Sequence, residues 1–223
     1  NKIKKLLFIS TSCVYPKNLN QPIKENSLLS GYLEDSVEPY AVAKIAGMKM
    51  CEAYNKQYSK KYLIDYRSIV PNNLYGPGDS YNQENSHVVA ALIKKFHEAK
   101  IRKQKKVILW GSGKPLREFL YLNDFVESCV LLMNTDKKIL KKKKINLNYF
   151  NVGSGLEISI YKLALMIKKI INYDGTIELD TSKPDGALRK FLDTKAIRSL
   201  GWKPKVTMLN GLKKTYQNFK NLG

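Results

Sequence analysis

The stretch Leu6-Leu7-Phe8-Ile9-Ser10-Thr11-Ser12-Cys13-Val14-Tyr15-Pro16 decides the reading of the fold. Four consecutive apolar residues followed by hydroxyl side chains and a proline read as a short buried strand ending in a turn. Outward from it, residues 39–58 read as a helix opened by Pro39. Leu63 to Val70 reads as a strand ended by Pro71. Helical signals resume at Asn85-Ser86, with Val88, Ala91, Leu92 and Phe96 on one face. Val107 to Trp110 and Phe119 to Leu122 read as strands, and Asp124 with Glu127 opens a helix to about Met133. The basic stretch 134–147 reads as a loop, and Phe150 to Val152 as a strand. Ser159 caps a helix through Ile160, Leu163, Ala164, Ile167 and Ile171. A short strand at Ile177 to Leu179, a polar loop to about Leu192 and helices at 194–199 and 207–220 complete the chain.

Strands separated by helices imply crossover connections and an α/β fold with a doubly wound, mostly parallel sheet. Such a sheet binds ligands beyond the carboxyl ends of its strands. The segments there are Thr11 to Tyr15, Pro71 to Gly78, Trp110 to Gly113 and Gly153 to Gly155.

Composition narrows the function classes. The chain has 223 residues, 43% of them hydrophobic, enough for a packed core and too apolar for disorder. No stretch approaches the roughly 18 apolar residues of a membrane span, so no membrane partner is expected. The net charge is +20, but 34 of the basic residues are Lys and only five are Arg. Arg is the planar reader of phosphates and guanine edges, so specific nucleic-acid recognition is not expected. Salt-sensitive binding to polyanions is. Three widely spaced cysteines, Cys13, Cys51 and Cys129, form no disulfide framework or zinc motif. They fit a reducing, cytoplasmic compartment. His87 and His97 have no metal-ligand spacing, and no metal is expected.

Tyr40 and Lys44 stand four apart, on one helical face. A phenol is a poor acid or base near neutral pH, and a neighbouring ammonium favours its phenolate. Tyr-x-x-x-Lys is therefore a proton-transfer device, although its spacing also suits an ordinary helix face. The hydroxyl segment Ser10-Thr11-Ser12 lies about 29 residues upstream of it, after a buried strand. A hydroxyl there can bond a substrate oxygen beside the tyrosine. Together these resemble the Ser/Thr–Tyr–Lys set of the extended short-chain dehydrogenases/reductases.

Further stretches sharpen the resemblance. They are residues 38–47, Asp65-Tyr66-Arg67-Ser68, Asn73-Leu74-Tyr75-Gly76-Pro77-Gly78-Asp79, Glu84 to Val88, Trp110 to Gly113, Arg117 to Leu120 and Ser182 to Gly186. From about Leu6 to the C-terminus they resemble, in order, the GDP-L-fucose synthase family, the GDP-4-keto-6-deoxy-D-mannose 3,5-epimerase/4-reductases. The resemblance implies a partial Rossmann fold with a small C-terminal α/β substrate-binding lobe. Residues 1–105 are then the C-terminal half of an NADP-binding domain. Residues 106–223 are mainly the substrate lobe, with segments returning to the Rossmann sheet. It implies catalytic roles for Thr11, Cys13, Tyr40, Lys44 and His87. Cys13 and His87 match the family's acid/base pair, and both side chains titrate near neutrality when tuned. It places the cofactor NADP(H) against Ser10, Thr11, Ser12, Lys44, Pro71, Asn72, Asn73, Leu74 and His87. It places a GDP-sugar substrate against Lys95, Trp110, Arg117 and Asp185, and it implies a homodimer through the helices near 40–58 and 86–100. Thr11, where the family more often has Ser, and Asn72, where it usually has Thr, are departures.

Among thirteen glycines there is no G-x-x-G-x-x-G or G-x-G-x-x-G turn to grip a pyrophosphate. The chain reads as beginning inside the Rossmann domain, at the strand before Thr11. Weak or no NADPH binding and an unpaired sheet edge at Leu6 to Ile9 are then expected. A separate N-terminal Rossmann fragment is a further expected partner if the gene is split. Two other readings stay open: another nucleotide-sugar epimerase or dehydratase of the same superfamily, or an inactive fragment kept as a binding module. Ser12-Cys13 stands where such dehydratases carry an Asp-Glu pair, which disfavours elimination chemistry.

Overall fold

The computed structural model describes residues 3–82 and 86–222. The chain begins with β1 (Lys5–Ile9), followed by a short 3-10 turn at Ser12–Val14. Then come α1 (Glu38–Tyr62), β2 (Asp65–Pro71), β3 (Asn73–Tyr75), α2 (Val88–Ile101), β4 (Lys106–Trp110) and β5 (Leu116–Tyr121). Next are α3 (Leu122–Asn134), α4 (Lys137–Lys142), β6 (Tyr149–Val152), β7 (Glu157–Ser159) and α5 (Ile160–Ile171). The last elements are β8 (Thr176–Asp180), β9 (Arg189–Lys190), α6 (Lys195–Ser199) and α7 (Met208–Lys220).

The α/β class holds and the pairing is mostly parallel, β5 with β7 being antiparallel, but among the described residues the strands divide into three sheets. The first is parallel, in the order β1-β2-β6, with Phe8 opposite Ser68 and Ile69 opposite Phe150. β1 stands at its outer end. The second joins β3, β5 and β7, with β9 beside the start of β5. The third pairs β4 with β8 in parallel. Sequence periodicity has no means of seeing this division, because partners are chosen by packing rather than by pattern.

α1 covers β1 and β2 with Ala41, Ile45, Met48 and Cys51, a stripe at helical spacing. A side chain at Gly47 would collide with the Phe8 ring, so glycine lets the helix close onto β1. On β2, the buried Arg67 donates to the Leu132 and Thr135 carbonyls at 2.6 and 2.8 Å, capping the end of α3, while Asp65 pairs with it. A second core gathers Phe96, Phe119, Leu163, Ile167 and Leu212 among α2, β5, α5 and α7.

Several boundaries differ from expectation. The basic stretch read as a loop contains α4, because Leu140 is buried in the core and Asp136 accepts from the Lys138 amide at 2.7 Å. Lysines on its remaining faces concealed that single anchor. Leu63 is not in a strand: it closes α1 in a left-handed conformation at φ 55°, and β2 starts at Asp65. α2 starts at Val88 with His87 at its N-cap position, later than the signal at Asn85-Ser86. Asn85 itself, like Gln83 and Glu84, lies outside the described residues. The segment after Pro71 and the polar loop before Leu192 contain the short strands β3 and β9, both recruited by β5.

Candidate active site

At the carboxyl end of β1, Ser10 is buried and its hydroxyl donates to the Met48 sulfur at 3.0 Å. The Thr11 oxygen accepts from the Cys13 amide at 3.3 Å, which is turn capping and leaves the hydroxyl proton free to donate elsewhere. Cys13 is a half-buried free thiol on this turn. Tyr15 anchors the turn to β6 by donating to Asn151 Oδ1 at 2.6 Å. Burial pushes that phenol well above the usual tyrosine range, so it is a fixed donor.

Tyr40 is 51% exposed on the first turn of α1. One turn on, the Lys44 ammonium donates to the Ile9 carbonyl at 2.9 Å and lies 5.8 Å from the Tyr40 ring centre. That bond ties the helix to the end of β1. An ammonium has three donors, so two remain for another partner. Thr11, Cys13, Tyr40 and Lys44 therefore belong to one strand end and the helix turn bonded to it.

His87 is held differently. Its side chain is 79% exposed, with Nδ1 3.3 Å from Asp79 Oδ1. Among the described residues it shares no hydrogen bond with Cys13, Tyr40 or Lys44.

The segment Pro71-Asn72-Asn73-Leu74 is a buried junction. Asn72 donates to Glu118 Oε2 at 2.7 Å and to the Lys190 carbonyl at 3.1 Å. Its oxygen accepts from the Asn73 amide at 3.1 Å and from the Ser12 hydroxyl at 3.4 Å. The Asn73 side chain donates to the Glu118 carbonyl at 2.9 Å. Glu118 is fully buried and also accepts from the Gly155 and Leu192 amides at 2.6 and 3.3 Å. Burial raises its carboxyl above the usual range, against the pull of these donors. Asn72 and Ser12 are thus bonded into this buried junction. The sequence reading missed Glu118, whose signal was an acid inside an apolar strand.

The remaining residues form a second group. Trp110 is 67% exposed, with the Lys95 and Lys183 ammoniums 5.9 and 5.8 Å from its ring centre. Lys95 donates to the Ile108 carbonyl at 2.5 Å, and burial lowers its pKa. Asp185 accepts from the Ser112 amide and hydroxyl at 2.9 and 2.6 Å. These bonds, with Lys114 and Arg117 nearby, hold its carboxyl below the usual range. A side chain at Gly111 would collide with that carboxylate, so Trp110-Gly111-Ser112 is shaped around Asp185. Burial lowers the Arg117 guanidinium, which Asp185 opposes. A cleft of about 490 Å³ lined by Tyr15, Pro16, Gln21, Asp185, Gly186 and Lys190 brings the Asp185 segment to the turn after β1. Ser112, Lys183 and Asp79 are further contacts that spacing alone did not reveal. Among the described residues no three His, Cys, Asp or Glu side chains gather as a metal site, and no helix is long and apolar enough to cross a membrane.

Residues 1–148 match the family model described as the NAD dependent epimerase/dehydratase family. Over 98% of its length the chain is 45% identical to the GDP-L-fucose synthase of Escherichia coli (strain K12). Over 96% it is 48% identical to a probable GDP-L-fucose synthase 1 of Oryza sativa subsp. japonica. It spans 67% and 62% of those two relatives. A crystal structure of a GDP-L-fucose synthetase from Naegleria fowleri bound to NADP superposes with a TM-score of 0.88. The identity there is 29%, covering 99% of this chain and 67% of that one. On the family match over residues 1–148 and the kinship along nearly its whole length, the chain belongs to the NAD dependent epimerase/dehydratase family.

Proposed function

We propose that this chain is the catalytic and substrate-binding part of an NADP-dependent epimerase/reductase that converts GDP-4-keto-6-deoxy-D-mannose to GDP-L-fucose. The observation that carries the reading is 45% and 48% identity to GDP-L-fucose synthases over nearly the whole chain. The domain division at 105/106 belongs to it. So do a homodimer, an N-terminal Rossmann segment pairing along β1, and a cytoplasmic location, which three free thiols suit.

The C4 ketone acidifies the protons on C3 and C5, because the carbanion delocalises into an enolate. Cys13 as thiolate takes the C–H proton, and the C–H electron pair enters the enolate. The His87 imidazolium returns a proton to the opposite face, which inverts the centre. NADPH, when bound, supplies hydride to C4. Tyr40 donates its phenolic proton to the oxygen that becomes the alcohol, while the Thr11 hydroxyl bonds that oxygen. The Lys44 ammonium favours the resulting phenolate. The residues present suit the nicotinamide-ribose end of the cofactor, since Lys44 retains two donors beside Tyr40. Asn73 and Leu74 belong to the same proposed contact set. Trp110, Lys95, Arg117 and Asp185 take the GDP portion, with Arg117 suited to the diphosphate.

Epimerisation needs no hydride, so it is the step to test on this chain. Incubated with the 4-keto sugar in D2O, the protein should place deuterium at C3 and C5, and Cys13→Ser should slow this strongly. Equal incorporation by the variant would remove the base assignment. No incorporation by the unmodified, folded and GDP-sugar-bound chain would remove the reading.

A further inference from the structure

We propose that Asp79 is a positioning residue that fixes the tautomer and orientation of the His87 ring. The proposal rests on the reading of His87 as proton donor in epimerisation. The two side chains are opposites in burial: 11% of Asp79 is exposed against 79% of His87. Asp79 Oδ1 accepts from the Ser80 amide at 2.9 Å and lies 3.3 Å from His87 Nδ1. Its Oδ2 is buried and has no hydrogen-bond partner among the described residues. A buried carboxylate with an unsatisfied oxygen is costly and favours a charged or polar neighbour. The imidazole is the group that its other oxygen reaches.

The loop carrying Asp79 is fixed from behind. The Gly78 amide donates to Asn218 Oδ1 at 3.3 Å, and the Lys94 ammonium to the Tyr81 carbonyl at 2.9 Å. The Tyr81 ring packs 4.5 Å from Phe219 on α7. His87 is fixed at its backbone, where its carbonyl accepts from the Ala91 amide at 2.9 Å. Among the described residues its ring makes no other hydrogen bond. When Nδ1–H donates to Asp79, the exchangeable position is Nε2, on the other side of the ring. The carboxylate also stabilises the ring when Nε2 carries a proton, as outer partners of a working histidine do.

The chain has two histidines, so imidazole nitrogen spectra of 15N-histidine-labelled protein are assigned with one further variant, His97→Gln. Above neutral pH His87 should be the Nδ1–H tautomer. Asp79→Ala should convert it to the Nε2–H form and leave His97 unchanged. Deuterium incorporation from D2O should fall roughly 10–100-fold with KM unchanged. Asp79→Asn keeps an acceptor and the side-chain shape. It should keep the Nδ1–H tautomer while incorporation still slows, and it remains decisive where the alanine variant does not fold. An Nε2–H tautomer in the unmodified chain would overturn the proposal, as would an unchanged tautomer in Asp79→Ala. Unchanged incorporation in both Asp79 variants, with His87→Gln inactive, would overturn it too. If His87→Gln incorporates deuterium normally, the role of His87 in the proposed function fails, and the pairing with Asp79 is then decided by the spectra.

Discussion

Glu118 and Cys13 mark two regions of one molecule built to different ends. Glu118 has no exposed surface and its carboxylate accepts from three N–H groups, one each from Asn72, Gly155 and Leu192. Cys13 is half-buried on the turn after β1, and Lys44 on α1 is bonded to the end of that strand. A saturated buried hub orders the strands that converge on it. A lightly held group at a strand end is free to meet a ligand. Activity should therefore fail at the second region without loss of the fold, and the fold should fail at the first.

The largest expected effect is at Cys13. Cys13→Ser should slow deuterium incorporation by roughly 10²–10⁴-fold, the usual share of acid–base catalysis. Urea unfolding of the same variant should move by less than about 1 kcal/mol. A large loss of stability would place Cys13 with the framework and blur the contrast.

Next is Glu118→Ala, which leaves three donors without their acceptor. At roughly 1–3 kcal/mol for each unsatisfied group, the loss should reach about 3 kcal/mol or more in urea unfolding. A shift under about 1 kcal/mol would show that water replaces the carboxylate and that the hub is dispensable. Gly153→Ala probes the same hub from outside, because the added methyl would collide with the Glu118 carboxylate. Overpacking of this kind costs roughly 1–3 kcal/mol and should lower Tm. An unchanged Tm would mean that the 153–155 turn yields.

The smallest expected effect is at His97, where pH dependence separates a packed histidine from a working one. His97 Nδ1 is 3.0 Å from the Tyr216 hydroxyl, and its ring meets Phe219 edge-on. Burial lowers its pKa, with Lys100 acting in the same direction. A base whose folded pKa is depressed stabilises the fold above its unfolded value, about pH 6.5. That contribution is lost as pH falls through the folded value. Tm should therefore drop between pH 7.5 and pH 5, and His97→Gln should flatten part of that slope. An equal slope in the variant would assign the acid sensitivity to other groups.

Much of this was legible in residue order. The run into Ser10-Thr11-Ser12, the helix opened by Pro39 and the cap at Ser159 appear as read, because each is a local signal. α4 was hidden, since its one buried anchor, Leu140, is outnumbered by lysines. β3 and β9 were hidden because short strands exist only through their partner β5. Of the candidate residues, Asn72 and Ser12 are cofactor contacts that the family resemblance implies. Their burial in the Glu118 junction depends on segments more than forty residues away.

Residue order by itself determined the α/β alternation, the strand ends where polar groups collect, and the helical phase that sets Lys44 one turn from Tyr40. Those depend on backbone propensity and on periods of two and 3.6, which act over a few residues. Only the tertiary structure decided that the strands form three sheets, that Glu118 ties Asn72 to Leu192, and that Asp79 stands behind His87. Such pairings are selected by burial and by the cost of leaving a polar atom unsatisfied, quantities that exist only once distant segments meet.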